Sequence, residues 1–227
     1  MAFRSSLFYL TLILLTLILG ILGIPLLLTF NCKWISKIGE VWGGCALKFL
    51  KLICGLDYKI EGLKNLPAGQ PVIVASKHSS AWETIFLLKL LHPAAFILKR
   101  ELVRIPIYGW YLPAMGMISI SRSDKIQAIK KVIRGSKDRL AKGFNIVIFP
   151  EGSRAINEVE VKPGIYSIHK NLKEYKVLPI AHDSGHYFGG KGSFKIAPGT
   201  INVKIRPLIE FESDKKKYLE KIKKAIN

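Results

Sequence analysis

From Leu7 to Phe30 the chain reads LFYLTLILLTLILGILGIPLLLTF, without one charged side chain. Few folds accept such a run except as a core helix or a membrane segment. At about 1.5 Å per residue a helix of this length matches a hydrocarbon core of roughly 30 Å. The run is too long for the apolar region of a secretory signal, and no small-x-small cleavage pattern follows it, which makes a cleaved leader the weaker reading. Gly20, Gly23 and Pro25 interrupt it, so a kinked or re-entrant helix competes with a simple span. Arg4 alone precedes the run, whereas Lys33, Lys37, Lys48 and Lys51 follow it. The positive-inside bias places the bulk of the protein in the cytosol, on an inner or cytoplasmic membrane.

The rest of the chain is basic. Lys and Arg outnumber Asp and Glu 35 to 16, a formal charge of +19, yet the mean hydropathy is +0.25. Such a chain is uneven, apolar in one place and charged elsewhere, and its charge implies an acidic partner. The apolar run favours anionic membrane lipid, where each basic residue gains roughly 1 kcal/mol. No recognised nucleic-acid motif appears, so nucleic acid is not expected as a partner. A non-enzymatic, membrane-anchored binder of anionic lipid or nucleic acid stays open as the rival from another class. Cys32, Cys45 and Cys54 are odd in number, widely spaced and without a C-x-x-C, which argues against a disulfide framework or a zinc site.

Residues 40–60 read as a second, partly amphipathic helix at the membrane interface. A breaker cluster follows at 62–71. We therefore expect an anchor over 1–56 and an α/β domain over 57–227 that ends in a basic helix. Strand-like runs lie at 71–75, 94–99, 117–121, 145–149, 176–181 and 200–210. Helical patterns lie at 82–91, at 123–141 with Ser123-Asp124 as its cap, and at 213–226. The order βαββαβ predicts a mixed β-sheet flanked by helices.

Chemistry concentrates in three stretches. In Ser76–Ile85, SKHSSAWETI, His78 stands five residues before Glu83. On one ideal helix the two would face about 140° apart, so they meet only if His78 lies in the strand-to-helix turn and Glu83 in the first helical turn. Ser80-x-x-Glu83 is a capping-box pattern, and a plain helix cap explains it as well as chemistry does. In the chemical reading Glu83 fixes the imidazole tautomer and His78 acts as a neutral general base. In Phe149–Arg154, FPEGSR, a turn follows an apolar strand, the usual ligand position in α/β sheets. Arg154 there offers a fork for phosphate and Glu151 an acceptor for a hydroxyl, although for six residues alone a solvated turn with a surface ion pair is the better reading. The stretch from Lys99 to Arg122 sets apolar and aromatic residues between cations, which suits a ligand with a phosphate head and a greasy tail.

In order, these stretches resemble the membrane-bound 1-acylglycerol-3-phosphate acyltransferase family. That family carries a His-x4-acidic block, a K-x-E-L…P…G…G…R block, an F-P-E-G-(T/S)-R block and a late V-P-(I/V)-A block. Here they read HSSAWE (78–83), Lys99-x-Glu101-Leu102 through Pro106, Gly109, Gly116 and Arg122, then FPEGSR (149–154) and VLPIAHDSG (177–185). The likeness covers about residues 57 to 210. One position departs from the pattern: the family usually has Asp where this chain has Glu83.

The resemblance implies acyl transfer from acyl-CoA or acyl-carrier protein to the sn-2 hydroxyl of lysophosphatidic acid. His78 and Glu83 would be the catalytic pair. Lys99, Arg122 and Arg154 would hold the phosphate in a pocket shaped by Glu151, Gly152 and Ser153. No metal, cofactor or acyl-enzyme is implied, and Ser79 and Ser80 lack the G-x-S-x-G elbow of a nucleophile. Glycerol 3-phosphate, another lysophospholipid or a lyso-aminolipid remain as alternative acceptors. Two other patterns are weaker. GHYFGGKG (185–192) has Gly192 where a P-loop needs Ser or Thr. His182 and His186 are four apart but lie among glycines that argue against a helix, so a loop is expected there rather than a metal site.

Overall fold

The structure, a computed structural model, describes residues 1–121, 125–154, 160–189 and 193–227. Helix α1 (Ala2–Leu22) turns through the short α2 (Ile24–Leu27) into α3 (Cys32–Phe49). Strand β1 (Leu56–Glu61), β2 (Ile73–Ser76), α4 (Trp82–Leu90), β3 (Ala94–Lys99), α5 (Tyr108–Ala114) and β4 (Ile118–Ile120) follow. The remainder is α6 (Lys125–Ala141), β5 (Asn145–Ile148), α7 (Gly164–Lys170), β6 (Val177–His182), β7 (Gly199–Ile205) and α8 (Lys215–Ile226).

The strands form one seven-stranded sheet in the order β1-β7-β6-β2-β5-β3-β4. β6, β2, β5, β3 and β4 run parallel, and β7 is antiparallel to β6, which makes the sheet mixed. Helices cover both faces, as the near-continuous apolar runs of the central strands require. Val74, Val147, Leu178 and Ile180 point to one face, among Trp82, Phe86, Leu112 and Leu47 of α4, α5 and α3. Ile73, Ala75, Ile146 and Val177 point to the other, among Val132, Ile165, Tyr218 and Ile222 of α6, α7 and α8.

The expected helix over 40–60 differs from what forms. Asn31 caps α3 by accepting from the backbone N–H of Lys33 and Trp34, so the helix starts at Cys32. It passes through a π-helical turn at Leu50–Cys54 and stops at Gly55, whose φ of 68° leaves the helical region. Leu56–Glu61 is a strand on the sheet edge, paired with β7. The strand expected over 200–210 breaks after Ile205, and Ile209 returns as an isolated bridge to Val177.

α1 is long and apolar enough to cross a membrane. Yet it is bound to the domain at several levels. Ser5 Oγ accepts from the Ile196 N–H at 2.9 Å, and Phe8 is buried edge-on against Phe188. Trp42 Nε1 donates to Thr16 Oγ1 at 2.9 Å, and the Tyr111 hydroxyl donates to the Gly20 carbonyl. Gly43 of α3 lets α4 approach so closely that a Cβ there would stand 2.9 Å from the Ile85 carbonyl. The hairpin thus shares its inner face with the sheet core. Its outer face leaves Phe3, Leu10, Ile13, Ile18, Leu22 and Trp34 exposed, and large apolar side chains grouped in this way mark an interaction surface.

If α1 is docked in this way, Phe8→Ala opens a cavity in the shared core and costs about 3 kcal/mol or more. For a chain of this size that lowers the melting temperature of the detergent-solubilised protein by roughly 6–12 °C. A helix that left the domain to cross a bilayer would give an unchanged melting temperature.

Candidate active site

The parallel strands deliver the site residues at their carboxyl ends. β2 ends in the turn that carries His78, β5 in Phe149–Arg154, β3 at Lys99 and β6 at His182–Ser184. β6, β2, β5 and β3 are neighbours in that order, so residues from Lys99 to Ser184 converge on one edge of the sheet.

His78 stands in the strand-to-helix turn and Glu83 in the first turn of α4, where the helix dipole favours a carboxylate. His78 Nδ1 lies 2.8 Å from Glu83 Oε1. The same oxygen accepts from the backbone N–H of Ser79 and Ser80, each at 3.1 Å. Oε2 accepts from the Ser80 N–H at 3.1 Å, from the Ser80 hydroxyl at 2.7 Å and from the Ser184 hydroxyl at 3.1 Å. Capping and histidine-holding therefore coincide in one carboxylate. Glu83 is fully buried. Burial pushes its pKa up, but the His78 hydrogen bond, the nearby histidine charges and the Ser80 hydroxyl outweigh it and hold the carboxyl below the ordinary range.

An ionised Glu83 accepts the Nδ1 proton of His78 and leaves Nε2 as the lone-pair nitrogen. Among the described residues Nε2 makes no hydrogen bond, and the side chain is 17 % exposed. The ring lies flat on Phe149, with centroids 4.1 Å apart. An imidazole fixed at one nitrogen, stacked on a ring and open at the other can take a proton from a hydroxyl.

Glu151 does not point into an open anion pocket. Its Oε1 accepts from the His78 backbone N–H at 2.9 Å, and Oε2 is buried without a partner among the described residues. Burial raises its pKa to about 7, against the hydrogen bond from His78. Gly152 takes φ 73°, and a Cβ there would stand 2.7 Å from Lys162 Nζ. Ser153, Arg154 and Lys99 are exposed, and the two cations make no hydrogen bond or ion pair among the described residues. Arg122 lies outside the described residues, as do Ser123-Asp124 and Gly190–Gly192.

Two contributors, Ser184 and Lys162, were not singled out from the sequence, and a third, His182, was expected in a loop but ends strand β6. Ser184 reaches Glu83 from the end of β6, 101 residues away. Lys162 adds an ammonium beside the FPEGSR turn. His182, whose pKa burial pushes down, sits 2.9 Å through Nε2 from the Lys77 carbonyl and so clamps the backbone leading into His78. Ser184 was visible only as part of the late VLPIAHDSG block. His186 lies in a 3₁₀ turn rather than on a helix with His182.

The acyltransferase family model matches residues 57–207. Over 219 residues the chain is 34 % identical to the 1-acyl-sn-glycerol-3-phosphate acyltransferase of Pseudomonas aeruginosa, covering 94 % of this chain and 83 % of that protein. It is 25 % identical over 169 residues to the human 1-acyl-sn-glycerol-3-phosphate acyltransferase alpha, 73 % of this chain and 59 % of that one. The crystal structure of the 1-acyl-sn-glycerophosphate acyltransferase PlsC from Thermotoga maritima superposes with a TM-score of 0.76. That match covers 98 % of this chain and 95 % of the other at 23 % identity, a shared fold.

The raised pKa of Glu151 has a measurable sign. The folded protein keeps a proton on Glu151 that the unfolded chain releases near pH 4.3. Its contribution is fully present below that pH and lost as pH rises through about 7. Glu151→Gln removes this dependence. Relative to that variant, the wild type should lose on the order of 3 kcal/mol of unfolding free energy between about pH 4.5 and pH 8. A difference that stays constant across this range contradicts the assignment.

Proposed function

The chain belongs to the acyltransferase family, and from that premise we propose that it moves a fatty acyl group from a thioester to the sn-2 hydroxyl of 1-acylglycerol 3-phosphate, giving phosphatidic acid. The observation that carries this reading is the 2.8 Å contact of His78 Nδ1 with buried Glu83, which leaves Nε2 without a hydrogen bond among the described residues. The names of the relatives support the choice of acceptor.

In this mechanism His78 Nε2 takes the proton of the sn-2 hydroxyl. The alkoxide attacks the thioester carbonyl of acyl-CoA or acyl-carrier protein, and the C=O π electrons move to oxygen. Collapse of the tetrahedral intermediate breaks the C–S bond, and the proton held on His78 passes to the departing thiolate. Ester and free thiol result. Glu83 stays ionised and steadies the imidazolium, as the acid member of a Ser-His-Asp triad does. Lys99, Arg122 and Arg154 hold the phosphate, with Glu151, Gly152 and Ser153 shaping the turn beneath it. Lys162 joins them as a further cation.

The anchor brings this site to its lipid. The exposed flank of α1 and Trp34 sink into one leaflet, because the contacts of Ser5, Phe8, Thr16 and Gly20 keep the helix flat on the domain. Lys33, Lys37, Lys48 and Lys51 sit at the rim of that surface and meet anionic lipid headgroups on the cytosolic side.

Purified protein given lysophosphatidic acid and an acyl-CoA should form phosphatidic acid. His78→Ala should lose at least ~10²-fold in kcat. Glu83→Gln, which reverses the hydrogen-bond polarity of one oxygen, should lose ~10²–10⁴-fold. Arg154→Ala should raise KM for the lysophospholipid and leave KM for acyl-CoA unchanged. Full activity of His78→Ala sinks the general-base role, and an unchanged KM in Arg154→Ala sinks the phosphate assignment.

A further inference from the structure

Glu83 is one methylene longer than the Asp this family usually carries, so its carboxylate reaches about 1.5 Å deeper. There it meets a cluster of three buried serines. Ser79 and Ser80 come from the β2–α4 turn and Ser184 from the end of β6, and each is at most 2 % exposed. We propose that Ser184 is a positioning residue whose hydroxyl, backed by Ser79 and Ser80, fixes the inner oxygen of Glu83 and thereby sets how strongly Glu83 holds the His78 proton. This inference rests on the acyl-transfer reading of the site.

The hydrogen-bond directions support it. The Gly185 N–H donates to Ser79 Oγ at 3.2 Å, which frees the Ser79 proton for Ser184 Oγ at 3.1 Å. The Trp82 N–H donates to Ser80 Oγ at 3.1 Å, and the Ser80 proton goes to Glu83 Oε2 at 2.7 Å. The Ser184 proton then has two acceptors, Oε2 at 3.1 Å and Ser80 Oγ at 2.8 Å. Either choice ends on the same carboxylate oxygen. All the O–H dipoles point toward Glu83, and such chains polarise one another. They draw negative charge toward Oε2 and away from Oε1, the oxygen that holds His78. With Ser184 removed, more charge remains on Oε1 and the imidazolium form of His78 is favoured. The carboxylate also gains room to rotate.

The charged and titratable groups around this assembly are Lys77 just after β2, Glu151 from the turn after β5, and His182 and Asp183 at the end of β6. None is altered by a substitution at Ser184, so a difference profile isolates the serine. The serines themselves do not titrate in the working range.

The test is kcat and kcat/KM of the full chain in detergent, with 1-oleoyl lysophosphatidic acid and oleoyl-CoA, between about pH 5.5 and pH 9. Wild type, His78→Ala, Ser184→Ala, Ser184→Thr and Ser79→Ala are compared. In Ser184→Ala the acidic limb should move to higher pH by roughly half a pH unit, and the plateau kcat should fall on the order of ten-fold with KM unchanged. Ser184→Thr, which keeps the hydroxyl, should restore both. Ser79→Ala should shift the limb the same way by less, and it carries the test should Ser184→Ala not fold. A wild type that is active, a His78→Ala that is not, and serine variants whose limbs superimpose on wild type would overturn this proposal alone. A wild type inactive with these substrates would overturn it together with the reading beneath it.

Discussion

A buried negative charge organises this protein's working edge. An unpaired carboxylate taken out of water costs several kcal/mol, and the cost is met only by good geometry and saturated lone pairs. Glu83 has both. One oxygen accepts from His78 and two backbone amides, and the other from Ser80 and Ser184. The donors come from the β2–α4 turn and from the end of β6, so satisfying the charge locks two neighbouring strand ends together. The same contacts cap α4, choose the His78 tautomer and aim its second nitrogen outward. Removing the carboxylate would therefore disturb helix, turn and base at once. Glu151 completes the turn from below by holding the His78 amide, and Phe149 supports the ring.

The second constraint is where this edge sits relative to lipid. The α1–α3 hairpin is packed on the same sheet face from which α4 rises, and its outer side is apolar. A surface of that kind sinks into the headgroup and acyl boundary of a bilayer. The fold thus carries the His78–Glu83 pair and an exposed apolar flank on the same chain. A substrate with an acyl tail and a phosphate head is satisfied by both parts. In the reaction proposed above, the tail stays in lipid, the phosphate meets Lys99 and Arg154, and the glycerol hydroxyl comes to His78.

Much of this was legible in the sequence, because parallel strands buried on both faces read as short apolar runs with turn residues at each end. The strand over 94–99 has those bounds in the structure. The meeting of His78 and Glu83 also follows from their spacing and the capping pattern. What escaped had physical causes. Leu56–Glu61 alternates apolar and polar residues as an edge strand should, but it follows a long apolar helix directly and was read as its continuation. Helix α7 has one turn of apolar spacing too few to stand out. Ser184 could not be paired with Glu83 from sequence, since a single serine carries no periodicity and its partner is 101 residues away. The depth of the anchor was equally hidden: the apolar run alone does not reveal that Phe8 and Thr16 face protein while Leu10 and Ile13 face outward.

The central claim is that ionised Glu83 holds His78 as a neutral imidazole protonated at Nδ1. The most direct measurement is the ¹⁵N spectrum of the imidazole nitrogens in histidine-labelled protein, with the His78 signal assigned by its loss in His78→Ala. Above the pH at which His78 deprotonates, the account predicts a protonated Nδ1 and a bare Nε2, and loss of that bias in Glu83→Gln. A spectrum with the proton on Nε2, or one unchanged by Glu83→Gln, would contradict it.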